Sequence, residues 1–412
     1  MIKFEKELLS NGLRVIVHKD PNTPMVAVNL LYDVGSRDEN PDRTGFAHLF
    51  EHLMFGGTQN IPDFDKPIQM AGGENNAFTT MDITNFYEII PAVNIETAFW
   101  LESDRMRGLS FNEKSLNTQK KVVVEEFKET CLNEPYGDLW HHISALAYKV
   151  HPYRWPTIGL VPEHIKSANL EEVKDFFYKH YIPANSILVI SGNMDYSYSF
   201  SLAKKWFGNI AGGLKPERNL PSEPLQTEHR QREIIAPVPM VSINMAFPMP
   251  GRMHPDYFAY DLLSDVLSNG QSSRFYRRLV KESNLFSDID VFISGTIDPG
   301  LFIITGKPMP GISIEESRLQ IWNELEDIAQ HGVSEHELQK VKNKVESTLV
   351  VSEISTLYKA MNLAYYEALG DAGLINDEAD FYVSVKNEDI QRVAQLLFRR
   401  ELCNEVLYIP SH

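Results

Sequence analysis

The stretch "PMVAVNL" at residues 24–30 returns as "PMVSINM" at residues 239–245. After each copy comes a short loop and then a helical pattern with a Phe-Ala pair near its start, "GFAHLFEHLMF" in the first half and "YFAYDLLSDVL" in the second. The same order of elements twice over points to duplication of one unit. Each half begins strand-rich and turns helical, so the fold class expected is α+β, with two homologous domains, each a mostly antiparallel sheet packed with helices. Between them, "AGGLKPERNLPSEPLQTEHRQRE" is dense in Pro, Gly and charge and reads as a linker. The N-terminal domain is therefore set at residues 1–212, the linker at 213–230 and the C-terminal domain at 231–412.

Bulk composition removes several function classes. A net charge of −17 argues against a general nucleic-acid binder, which carries a basic surface. The two cysteines, Cys131 and Cys403, lie far apart and outside any Cys-x-x-Cys spacing, so no disulfide framework is expected and a reducing compartment is the default. The opening "MIKFEKELLSNGLRVIVHKD" runs directly into strand alternation without the pattern of a signal peptide. No apolar run reaches the roughly 18 residues of a membrane span. A cytoplasmic protein without a transmembrane segment is the expectation.

The two halves differ in one telling place. Aligned on the Phe-Ala pair, His48 falls opposite Tyr260, Glu51 opposite Leu263 and His52 opposite Ser264. On a helix, residues i and i+4 share a face, so His48 and His52 can hold one metal ion through their ring nitrogens. Glu51 stands beside them, placed to move protons at a metal-activated water. H-x-x-E-H is the inverted zincin pattern. Solvated surface histidines could share that spacing, but Phe46, Ala47, Leu49, Phe50, Leu53, Met54 and Phe55 make this a buried helix. Two imidazoles and a carboxylate are costly there unless they bind something. A catalytic zinc also needs a third protein ligand and an open position. "KKVVVEEFKE" offers Glu125, Glu126 and Glu129. Glu125 and Glu129 share one helix face and Glu126 points about 100° away, so spacing does not choose among them. A diiron centre would use repeated Glu-x-x-His pairs, a pattern that adjacent Glu51 and His52 do not make.

These residues resemble the pitrilysin, insulinase and mitochondrial processing peptidase family of zinc metallopeptidases, and the resemblance runs over nearly the whole chain. "GFAHLFEHLMFGGT" is similar to the family's G-x-x-H-x-x-E-H-x-x-F-x-G-T motif. "GGENNAFTTMDITNFYE", "HPYRWPTIG" and "YIPANSILVISGNM" resemble three later stretches. The resemblance implies a zinc-dependent endopeptidase that hydrolyses short or unfolded peptides in a closed chamber. One Zn²⁺ per chain would be held by His48, His52 and Glu126, the last read from "QKKVVVEE", with Glu51 as general base. The family binds peptides along an edge strand. "NNAFT" is the matching segment, which makes Asn76, Ala77 and Phe78 the substrate-strand candidates. Gln119 stands where the family often has a glutamate, keeping hydrogen bonding beside the site without the charge.

A second departure concerns the other half. Active relatives carry an Arg and a Tyr, seven residues apart, after an S-S-R-[LF] turn. "SSRFYRRLVKESNLFSDIDV" keeps the turn at Ser272, Ser273 and Arg274, but those positions read Val280 and Ser287, with Arg277 and Arg278 out of register. The resemblance then implies the zinc subunit of a heterodimer whose homologous partner supplies Arg and Tyr. The competing readings are a non-catalytic structural subunit of the same fold and a self-sufficient homodimeric peptidase.

Overall fold

The computed structural model describes residues 1–411. The chain forms two compact units, the first from residues 1–128, 155–220 and 350–377, the second from residues 129–154, 221–349 and 378 onward.

The first unit is built on six strands: β1 (Glu5–Leu8), β2 (Arg14–Lys19), β3 (Met25–Tyr32), β4 (Glu74–Thr79), β5 (Thr84–Pro91) and β6 (Ser186–Gly192). They lie in the order β1-β2-β6-β3-β5-β4, antiparallel except for the β2/β6 pair. Val26, Val28 and Leu30 pack into one core cluster, and Ala27 and Leu31 into another. A strand buried on both faces reads as a continuous apolar run, which is why "MVAVNLLY" does not alternate. Helices α1 (Phe46–Phe55) and α2 (Ile95–Arg107) cover the first face through Leu49, Phe50, Ile95 and Phe99. The helix α3 (Glu113–Phe127) starts at Asn112, whose side chain accepts from the Ser115 amide at 2.8 Å, and it lies against α1.

The second unit contains β7 (Arg230–Ala236), β8 (Ser242–Met249), β9 (Phe286–Ile293), β10 (Gly300–Pro308) and β11 (Asn404–Pro410), in the order β7-β11-β8-β10-β9. Only β7 and β11 run parallel. This order repeats β2-β6-β3-β5-β4, parallel pair included, so the duplication read from "PMVAVNL" and "PMVSINM" holds at the level of topology. The helix α4 (Tyr257–Ser268) follows β8 as α1 follows β3. Two longer helices, α5 (Ile314–His331) and α6 (Glu335–Ser352), complete the part of this region used below.

The compact units are not the two linear halves. The helix Thr356–Leu369 belongs to the first unit, where Ala360, Leu363 and Ala364 cover Ala27, Leu31, Ile187 and Val189. The second face of that sheet is apolar and needs a lid, and the helix that supplies it comes from late in the chain. Residues 213–227, inside the expected linker, have no regular secondary structure. They are nonetheless tied down, because Arg218 donates to Asp33 Oδ1 and Asp38 Oδ1, both at 2.7 Å.

Candidate metal centre

α1 presents His48 and His52 one turn apart, and α3 presents Glu126 to both. His52 Nε2 lies 3.3 Å from His48 Nε2 and 3.2 Å from Glu126 Oε2. His48 Nε2 lies 3.5 Å from Glu126 Oε1. A tetrahedral zinc with bonds of about 2.0–2.2 Å holds its donors about 3.3–3.6 Å apart, so these three side chains form a face of the right size, with N, N and O donors. Among the described residues this is the one grouping of three metal-ligating side chains.

Of the three glutamates in this stretch, only Glu126 faces the histidines. Glu125 is exposed and pairs with Lys128 at 2.6 Å, and Glu129 is exposed. Burial holds the His48 imidazole below its ordinary pKa even though Glu126 pulls the other way. A neutral ring with an available lone pair is the form that ligates metal. The hydrogen bond to His52 holds the Glu126 carboxyl below the usual range, against the cost of burial. Glu51, half-buried, stays outside the triad, and Thr79 Oγ1 donates to its Oε2 at 2.7 Å.

Two models of one peptidase family match the chain. "Insulinase (Peptidase family M16)" matches residues 14–159, and "Peptidase M16 inactive domain" matches residues 167–345. The chain belongs to peptidase family M16.

Among relatives of this M16 chain, the zinc protease PqqE of Helicobacter pylori is 29% identical over 99% of the chain and 93% of its own length. The β subunit of the mitochondrial processing peptidase of Saccharomyces cerevisiae is 25% identical over 84% of the chain and 77% of its own. A solved protease structure from Helicobacter pylori superposes with a TM-score of 0.93 at 28% identity and covers both chains completely. The name of the first of these relatives, a zinc protease, agrees with a histidine–histidine–glutamate donor set.

The other expected residues fall in distinct places. Asn76, Ala77 and Phe78 lie on β4, at one edge of the sheet. Asn76 is exposed, while Ala77 and Phe78 pack into opposite core clusters, and the Ala77 amide donates to Asn76 Oδ1 at 2.8 Å. Gln119 is half-buried on α3 beside Gly56, which closes α1, and forms no hydrogen bond to His48, His52 or Glu126 among the described residues. In the second unit Tyr260, Leu263 and Ser264 are all buried core. Val280 packs against that core, and Ser287 Oγ donates to the Lys307 carbonyl at 3.0 Å. Arg278 is held by Glu324 at 2.6 Å and Arg277 sits 3.7 Å from Glu282.

Sequence reading missed Thr79 and the support beneath α1. Thr44 Oγ1 accepts from the Leu160 amide at 2.8 Å, and Trp155 Nε1 donates to the Ser36 carbonyl at 2.9 Å. Part of "HPYRWPTIG" therefore braces the loop that leads into α1. Glu39 is buried and accepts from the amides of Gly45 and Ala47 at 2.9 and 2.8 Å. A helix without Ser, Thr, Asn or Asp at its start was the available signal, since something else has to satisfy its amides.

Proposed function

We propose that the chain is a zinc-dependent endopeptidase acting on peptides, and the zinc subunit of a heterodimer. The observation that carries the reading is the triangle of His48 Nε2, His52 Nε2 and the Glu126 carboxylate, with donor separations of 3.2–3.5 Å. Zinc held there would activate a water and polarise the scissile carbonyl. Glu51 takes the proton of the attacking water and delivers it to the leaving amine. Thr79 fixes the Glu51 carboxylate through Oε2. The substrate lies extended along the open edge of β4 beside Asn76, Ala77 and Phe78. Support comes from the chain itself, because the last residue of that edge strand is Thr79, which touches Glu51.

The heterodimer part rests on the second unit. Its two departures, Val280 and Ser287, offer no cation and no phenol, and Arg278 is committed to Glu324. A homologous subunit carrying Arg and Tyr completes the machinery. One relative is itself named as a subunit of a processing peptidase. Cys131 and Cys403 are both buried thiols, which fits a reducing, cytoplasmic setting.

The test is hydrolysis of a quenched peptide by the purified chain alone and with a homologous subunit carrying the missing Arg and Tyr. Turnover that appears only with the subunit is expected. Full turnover by the isolated chain at nanomolar concentration would remove the heterodimer. Zinc binding without turnover under either condition would favour a structural subunit.

A further inference from the structure

The start of α1 poses a problem that its own sequence does not solve. The residue before its first turn is Gly45, with φ of +88° in the left-handed region. A Cβ at Gly45 would stand 2.8 Å from the Ile158 carbonyl oxygen. Backbone and space both demand glycine, and glycine has no side chain with which to accept from the first amides. The carboxylate of Glu39 does it instead, Oε2 taking Gly45 N–H at 2.9 Å and Oε1 taking Ala47 N–H at 2.8 Å. His48 is the next residue along this turn.

Glu39 itself is fixed. Its amide donates to the Ser36 carbonyl at 3.3 Å, the acceptor that Trp155 also uses. Ser36 and Arg37 donate backbone N–H to the Thr80 and Met81 carbonyls at 3.2 and 3.0 Å, and Arg37 pairs with Asp82 at 2.8 Å. Thr80 to Asp82 form the turn directly after β4. One continuous set of bonds thus runs from the end of the edge strand, through the Ser36–Glu39 turn, to the first amides of the helix that carries the histidines.

We propose that Glu39 is the positioning residue of the metal centre: it sets the first turn of α1, and so His48, at the distance from Glu126 and His52 that one zinc ion requires. The inference rests on the metal reading above. Donor separations of 3.2–3.5 Å tolerate displacements of only a few tenths of an ångström, on the order of the ±0.2 Å tolerance of metal–ligand bonds. Loss of this support loosens the ligand set without removing a ligand. Glu39→Gln retains one acceptor oxygen and turns an NH₂ group towards the other backbone N–H.

The experiment compares wild type and Glu39→Gln by zinc titration against a chelating indicator and by amide hydrogen exchange of the metal-free protein. The expected result is a zinc dissociation constant raised about 10–100-fold, the range seen when groups that orient ligands are lost. Faster exchange confined to residues 45–49 should accompany it. Unchanged zinc affinity in the variant, with or without faster exchange, overturns the proposal. Absence of zinc binding by wild type overturns the metal reading itself, which is a different outcome of the same titration. Should Glu39→Gln not fold, Glu39→Asp carries the comparison, since it keeps the carboxyl group on an arm one methylene shorter, and the same outcomes decide.

Discussion

At the level of single residues, labour is divided between three metal donors, His48, His52 and Glu126, and one proton carrier, Glu51. Glu51→Gln removes the base but none of the three donors, so it should keep zinc and lose turnover by about 10²–10⁴-fold, the usual worth of a general base. Retained activity would take Glu51 out of its role. Thr79→Val keeps the β-branched shape suited to β4 and deletes only the 2.7 Å hydrogen bond to Glu51. A hydrogen bond to a charged group is worth about 1.5–3 kcal/mol, and each 1.36 kcal/mol of barrier is tenfold in rate. A fall in kcat of about 10–160-fold with unchanged zinc content is expected. Much at this scale was legible, because His48, Glu51 and His52 announce themselves as polar residues in an apolar helix. Thr79 was not, since a threonine in a strand has an ordinary packing reason to be there. Spacing left Glu125, Glu126 and Glu129 open, the family resemblance pointed to Glu126, and that residue is the one that lies 3.2–3.5 Å from the two imidazoles.

Elements in this protein are positioned by close approaches and buried ion pairs. Gly35 lies so near the turn after β4 that a Cβ there would stand 2.4 Å from the Met81 carbonyl oxygen. Gly35→Ala must push the Ser36–Glu39 turn away from the end of the edge strand. Overpacking of this kind costs about 1–3 kcal/mol, seen as a lower urea midpoint, and weaker zinc binding should accompany it. In the second unit, Arg274 of the turn kept in sequence serves the fold: it donates to Glu337 at 2.7 Å and to the Gly332 carbonyl at 3.1 Å, joining its segment to α5 and α6. Burial works to raise the Glu337 carboxyl, but the hydrogen bonds of Arg274 and Ser334 prevail and bring it to about 2, from 4.5. A carboxyl lowered by folding adds stability that is complete above the unfolded value and disappears as pH falls through the folded one. Thermal melts should therefore find Glu337→Gln less stable than wild type near pH 6, with the gap closing between about pH 4.5 and 2. A constant gap across that window would contradict the assignment.

Over the whole molecule, a repeated heptapeptide foretold two copies of one sheet, and strand order bears this out down to the single parallel pair. Less legible was which stretch of chain serves which copy. Thr356–Leu369 falls within the expected C-terminal domain, and only the apolar second face of the first sheet shows why it is needed there. The contrast between the copies is chemical: where α1 has His48, Glu51 and His52, α4 has Tyr260, Leu263 and Ser264 in its core. The reading proposed above therefore expects one metal per chain. The most direct check is the zinc content of the intact chain and of His52→Ala, measured by native mass spectrometry after dialysis against metal-free buffer. One zinc ion is expected in the wild-type chain and none in the variant. A zinc-free wild type, or a variant that keeps its zinc, would contradict it.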